Sequence, residues 1–353
     1  MLTDTLIIGG GLSGLALAAQ LAAQGRDFLL VEARDRLGGR ILTRREGAAH
    51  FDLGPTWFWP GQPRIAALSE RLGLSRFDQF CNGNVTFENE QGRVHRGQGY
   101  ASMQGSWRLE GGMGALTAAL EKEVPPQRMR VSTTIHMLTR AAAGIVARSE
   151  GGMSILARRV VLALPPRIAA KMSFTPMLPT AALTALEGIA TWMAGHAKAV
   201  AVYDRPFWRE AGLSGDALSR HGPMVEIHDA SPATGGPYGL FGFIGVPPRA
   251  RSDQEALRRQ IQAQLIRLFG PEAATPSALC LKDWAYDHLT ATELDAQAPH
   301  VHPQYGLPRV LTGLWGGDLI LAGTEVAPQF GGYLEGALEA SELALASLRH
   351  LER

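Results

Sequence analysis

Apolar residues in this chain gather in short runs separated by glycine-rich turns. Leu6-Ile7-Ile8 is such a run, stopped by glycines, which is the pattern of a strand buried on both faces. Leu12 to Gln24 is rich in Ala and Leu and reads as a helix closed by Gly25. Phe28 to Val31 reads as a second buried strand. Strand, glycine turn, helix and strand make a βαβ unit, which implies a parallel sheet. Gly38 to Pro63 reads as loop and Arg64 to Leu74 as helix, and the alternation from Asn84 to His95 reads as a hairpin around Glu90-Gln91-Gly92. Gly114 to Glu123 is helical. Met129 to Ile135, Gly144 to Ala147 and Met153 to Leu156 are short strands, and Arg159 to Leu164 is a buried strand halted by Pro165-Pro166.

From about Gly188 the texture changes. Lys198 to Tyr203 and Tyr238 to Val246 predict longer sheet strands, and Asp253 to Phe269 an amphipathic helix. Leu319 to Ala322 is again a short buried strand, and Tyr333 to Leu348 a final helix. The expected fold class is α/β: a Rossmann-type nucleotide-binding domain from residues 1–75, 107–187 and 296–353, with a discontinuous β-rich domain from 76–106 and 188–295.

The chain has 353 residues, 46% hydrophobic and 19% charged, enough to bury a substantial core over two domains. A net charge of +1 gives no reason to expect a nucleic-acid groove or an electrostatic membrane anchor. The apolar stretch from Leu6 to Ala23 lacks a basic leader, follows Asp4 and is broken by Gly and Gln, so it reads neither as a signal peptide nor as a membrane span. Cys81 and Cys280 are the only cysteines, too few and too far apart for a disulfide framework or a zinc site, and the default compartment is the reducing cytoplasm.

Gly9-Gly10-Gly11-Leu12-Ser13-Gly14 satisfies G-x-G-x-x-G, follows a strand and opens a helix, with Glu32 at the end of the next strand. Gly9 permits the tight turn, Gly11 lets a pyrophosphate approach the backbone, and Gly14 packs helix against strand. The helix N-terminus offers free N–H groups and partial positive charge to phosphates. Glu32 suits a ribose 2′-hydroxyl and argues against a 2′-phosphorylated dinucleotide. A second glycine pair with arginine follows in Arg34-Asp35-Arg36-Leu37-Gly38-Gly39-Arg40, an extra phosphate contact that points to FAD over NAD.

The sequence resembles the flavin-containing amine oxidases, the group with monoamine, polyamine and L-amino-acid oxidases. The matching segments, in order, are LIIGGGLSGL, VEARDRLGGRILT, FDLGPTW (51–57), LEGGMGAL (109–116), RVVLALPP (159–166), HAKAVAVYDRPFW (196–208), LAGTE (321–325) and GGYLEGALEA (331–340). The resemblance implies that Gly9, Gly11, Leu12, Ser13, Gly14, Glu32, Ala33 and Arg34 hold the ADP half of FAD, with Gly38, Gly39 and Arg40 on the pyrophosphate side. Ile135 would meet the adenine through its backbone. Gly54, Pro55 and Thr56 would line the flavin, Thr324 and Glu325 would lie near the ribityl chain, Ala163 and Gly323 would also bind the cofactor, and Leu334 would offer its N–H to the pyrimidine edge. A helix starting near Tyr333 would also stabilise the negative charge of reduced flavin.

The resemblance also assigns chemistry. Lys198 matches a lysine that holds a water against flavin N5, Trp284 a tryptophan beside the isoalloxazine, and Tyr333 one wall of an aromatic pair that receives the amine. Trp57, Trp59 and Phe330 are further pocket candidates. Three departures stand out. No second aromatic wall falls in Thr290 to Asp295, where Glu293 and Asp295 read either as part of a solvated loop or as a contact to a substrate cation. No cysteine lies between Asp287 and Asp295, so FAD is expected to be non-covalent, with His288 the alternative for a covalent link. The large helical insert after Pro60 is missing, which leaves a more open site or one covered by a homodimer mate or partner subunit, as in smaller renalase-like flavoproteins. His300 and His302 form H-x-H in a proline-bracketed loop with no carboxylate partner, and no metal is expected.

The implied reaction is hydride removal from the carbon next to nitrogen to flavin N5, giving an imine and, with oxygen as acceptor, hydrogen peroxide. Another acceptor in place of oxygen, a renalase-like or desaturase-like flavoprotein acting on a non-amine substrate, and a non-catalytic FAD-stabilised partner protein stay open as alternatives.

Overall fold

A computed structural model describes residues 1–297, 299 and 301–351. Two large sheets organise it. The first runs in the order Ser173–Thr175, Ile135–Ala141, Gly144–Ser149, Ser154–Leu162, Leu2–Ile8, Phe28–Val31, Met129–Arg130. Leu2–Ile8 is parallel to both of its neighbours, and the helix Leu12–Ala23 makes the crossover, as the βαβ reading requires. That helix is apolar around most of its surface and is buried accordingly, against the helices Gly114–Glu123 and Leu334–His350.

Ser154–Leu162 corrects the expectation of two separate strands. It is one strand of nine residues whose edge changes partner midway: residues 154–157 pair with Gly144–Ser149, and residues 160–162 with Leu319–Leu321. The first half alternates because one face is partly wet, while the second is buried throughout. The single strand expected over Met129 to Ile135 is also corrected. It stops at Arg130, because the N–H groups of Ser132 and Thr133 bond the carbonyls of Arg34 and Glu32 and turn the chain. Within the expected loop 38–63, Thr43–Glu46 and Ala49–Asp52 form a short hairpin.

The second sheet runs Ala278–Asp283, Ala197–Tyr203, Tyr238–Ile244, Met224–Asp229, Leu213–Ser219, Asn84–Glu88, Val94–Gly97. Two of these strands, Leu213–Ser219 and Met224–Asp229, carry no clear apolar signature in sequence, because Ser214, Asp216, His228 and Asp229 are polar yet buried. Asp229 is bound by the Arg209 guanidinium and by the Trp208 indole, which satisfies its charge. The helix Gln254–Phe269, N-capped by Asp253, covers one face of this sheet through Leu257, Ile261 and Leu265 against Ala197, Ala199, Ala201 and Leu240. The opposite face carries Val200, Val202 and Phe241, packed on Phe51, Leu53 and Trp57. Alternation along the strand then places Lys198 on this second face, toward the first sheet.

Glu335, in the first turn of the C-terminal helix, is fully buried and accepts the N–H groups of Arg64 and Ile65, so it caps the helix Pro63–Arg71 from outside. Substitution Glu335→Ala would leave those N–H groups without their acceptor. It is expected to cost about 2 kcal/mol, read as a lower urea midpoint with unchanged slope.

Candidate active site

Between the two sheets lies a cavity of about 730 Å³, within the range of small-molecule and cofactor sites. Every cofactor, catalytic and pocket residue that the resemblance implies lines it except Gly14, Glu325 and Phe330, and the two loop carboxylates Glu293 and Asp295 do not line it either. Gly14 faces the strand behind it: a Cβ there would sit 1.9 Å from the Gly9 carbonyl oxygen, so the residue serves packing alone. Gly9 itself has φ 112°, open to glycine and closed to other residues. Glu325 is buried beneath the wall, paired with Arg40. Phe330 is corrected from pocket wall to turn: its carbonyl accepts the Tyr333 N–H, and Gly332 and Tyr333 take the wall positions.

The lining fits an elongated dinucleotide. Two helices point their N-termini at it, starting at Leu12 and Leu334, and neither has a side-chain cap. Their first N–H groups lack intrahelical partners and suit anionic oxygens. At one end stand Glu32, Thr133, Thr134 and Ile135; at the other Lys198, Trp284 and Tyr333. The Glu32 carboxylate accepts the N–H groups of Gly10 and Arg34, which fixes it across the glycine turn. Arg36, missed from sequence, donates to the carbonyls of Leu37, Gly39 and Ile41 and so builds the second glycine turn from beneath. Arg34 is held by Asp287 at 2.6 Å and by Thr290. For Arg40, burial works against the charge, but Glu325 outweighs it and raises the pKa.

At the other end, Nζ of Lys198 donates to the Gly54 carbonyl at 2.5 Å, and the Trp284 indole N–H donates to the Leu53 carbonyl at 2.8 Å. Adjacent carbonyls of one loop thus fix both candidates. Lys282 sits over the Trp284 ring and is anchored by Asp287, which also holds Arg34. Tyr333 is 37% exposed, and the His302 ring stacks on it at 4.8 Å. The missing second aromatic ring therefore has no direct counterpart between Thr290 and Asp295. Glu293 is exposed and Asp295 is buried against Arg167, and neither lines the cavity. His288 does line it. His300, the other member of the H-x-H pair, lies outside the described residues.

Sequence reasoning also missed the acidic wall. Glu226 lines the cavity beside Phe243, and His228 behind it bonds both Glu226 and Asp216. A bulge between Met224 and Glu226 hides the alternation that could have marked this strand.

Burial pulls the Lys198 pKa down to about 8, against a weaker opposing pull from Asp52. Burial pushes Asp52 up to about 6, in spite of bonds from Thr43 and the Met113 N–H. Between about pH 8 and pH 10.5 the folded chain has lost the Lys198 proton that the unfolded chain keeps, so this residue makes stability rise with pH across that window. Lys198→Met should remove that rise, by at most about 1.4 kcal/mol per pH unit, seen as the difference between the two proteins' urea midpoints at the two ends of the window.

The family described as flavin containing amine oxidoreductase matches residues 12–101 and 98–344. A Mycobacterium tuberculosis protein assigned as flavin-containing monoamine oxidase AofH is 25% identical, over 99% of this chain and 97% of its own. That alignment spans 451 positions against 353 residues here, so the relative carries segments this chain lacks. Putrescine oxidase of Kocuria rosea is 22% identical over 98% and 95% of the two chains. Among solved structures, putrescine oxidase bound to putrescine has a TM-score of 0.83 at 19% identity, covering 100% of both chains. Cyclohexylamine oxidase of Brevibacterium oxydans has a TM-score of 0.82 at 23% identity, covering 99% and 100%. These structures share the fold, and the match over most of the sequence goes further: the chain belongs to the flavin-containing amine oxidoreductases.

Proposed function

We propose that the protein is an FAD-dependent amine oxidase with non-covalently held FAD. The observation that carries this reading is the buried Lys198, fixed on the Gly54 carbonyl in the wall of the same cavity that both glycine turns line. When bound, FAD supplies acceptance of a hydride from the carbon next to nitrogen and the return of electrons to oxygen as hydrogen peroxide. The residues of the chain do the rest. The turns at Gly9–Gly14 and Gly38–Arg40 hold the diphosphate, and Glu32 accepts from a ribose hydroxyl. Lys198, poised near neutrality, holds or passes a proton at its Nζ. Trp57, Trp59, Phe243 and Tyr333 exclude water from the carbon being oxidised and pack its apolar substituents. The imine product hydrolyses in water.

The division into residues 1–75, 107–187 and 296–353 against 76–106 and 188–295 is our reading of the two bodies. Both thiols, Cys81 and Cys280, are free, which fits a reducing cytoplasm. No helix among the described residues is long and apolar enough to cross a membrane. A homodimer mate or partner subunit is the natural cover for a site without the large helical insert.

The purified protein should be yellow and release FAD on acid precipitation. Anaerobic addition of an amine should bleach it. Lys198→Met should keep the FAD and lower the bleaching rate by roughly 100-fold or more. Bound FAD that no amine reduces would overturn the amine reading and leave the cofactor.

A further inference from the structure

The turn 284–291 follows the edge strand Ala278–Asp283 of the second sheet and reaches across to Arg34, just past Phe28–Val31 of the first. Asp287 organises this turn. Its N–H donates to the Trp284 carbonyl, its own carbonyl accepts the N–H groups of Thr290 and Ala291, both at 2.8 Å, and its Oδ1 accepts the Leu289 N–H at 3.2 Å. His288, Leu289 and Thr290 are thereby laid along the cavity wall.

The two carboxylate oxygens of Asp287 serve different ends of that cavity. Oδ1 accepts Nη2 of Arg34 at 2.6 Å, and the same nitrogen donates to Thr290 Oγ1 at 3.0 Å. Arg34 stands at the nucleotide end, 3.7 Å from the Glu32 carboxylate. Oδ2 accepts Nζ of Lys282 at 2.6 Å, and that ammonium lies 4.6 Å from the centroid of the Trp284 ring. The Trp284 N–H is fixed on the Leu53 carbonyl. With that edge and one face engaged, the ring meets the cavity with what remains. The Arg34 and Asp287 side chains are 14% and 10% exposed, so water screens their attraction less than it would on the surface. A neutral group at 287 would leave two cations sharing one site without the charge that now separates them.

On the reading that FAD fills this cavity, we infer that Asp287 is a positioning residue that joins the two ends of the cofactor site. One carboxylate holds Arg34 for the nucleotide end and, through Lys282, holds the Trp284 ring for the reacting end. Asp287 itself does not line the cavity and acts through these two side chains.

The test uses the FAD-loaded protein and three readouts: FAD dissociation on dilution, circular dichroism of the visible flavin band, and the anaerobic bleaching rate with an amine. Asp287→Asn should raise the FAD dissociation constant about 10-fold and, in the fraction still loaded, lower the bleaching rate about 10-fold. Lys282→Met should alter the dichroism and slow bleaching by a similar factor with FAD retention kept. Adding Asp287→Asn to Lys282→Met should slow bleaching little further, because both act on one ring. Asp287→Glu should restore part of each loss, which misfolding would not allow. An Asp287→Asn protein that changes only one end, or a Lys282→Met protein with wild-type dichroism and bleaching, overturns the inference. If no amine bleaches the flavin, yet Asp287→Asn changes both retention and dichroism while Lys282→Met changes dichroism alone, the tie stands and the amine reading fails. A wild type that takes up no FAD overturns both.

Discussion

The rest of the structure depends on the contact of the strand Ala49–Asp52 and the loop following it with the inner face of the second sheet. Phe51, Leu53 and Trp57 pack on Val200, Val202 and Phe241, and this seam buries the one face of that sheet that the helix Gln254–Phe269 leaves open. Because both faces are covered, every residue of Ala197–Tyr203 is buried, Lys198 included. A lysine ammonium in such a place loses hydration and needs a partner, and the loop supplies one in the Gly54 carbonyl. The neighbouring Leu53 carbonyl holds Trp284. The same loop thus packs the seam and orients the two groups that face the reaction, so the chemistry cannot loosen without the seam loosening.

The channel's other end is governed by charge. The first helix has no acidic residue in its first turn, so its field is left for a ligand. The arginines nearby are already engaged: Arg36 by backbone carbonyls, Arg34 by Asp287, Arg40 by Glu325. Each keeps its place through these bonds, which preorganises the turns that a diphosphate would meet. Asp287 ties the two ends together, since it grips Arg34 beside the glycine turn and Lys282 above Trp284. The acidic cluster of Asp216, His228 and Glu226 gives the pocket wall a polarity that its aromatic rings alone would not have.

Much of this was legible in the sequence, and particular residues show why. The glycine turn, the helix Leu12–Ala23 and the strand Phe28–Val31 are local: each follows from nearest neighbours, backbone freedom and an unbroken apolar run. Lys198 was legible through its ordered place among matching segments, not through its own surroundings. Glu226 was not, because a bulge broke the period of its strand and because polar residues at Ser214, Asp216 and His228 made buried strands look like loops. Phe330 and Asp295 misled in the opposite way. Each lies a few residues from the cavity wall, but a turn bond and an ion pair direct them elsewhere.

The sequence by itself determined the class of fold, the nucleotide-binding turn and the order of the segments that make the channel, since these rest on local periodicity and on glycine's access to backbone forms closed to other residues. Only the tertiary structure decided which polar groups meet: Lys198 with Gly54, Arg40 with Glu325, and His228 between two carboxylates. These partners lie up to 285 residues apart, and no local pattern encodes a contact between side chains that share a space only after two sheets have packed.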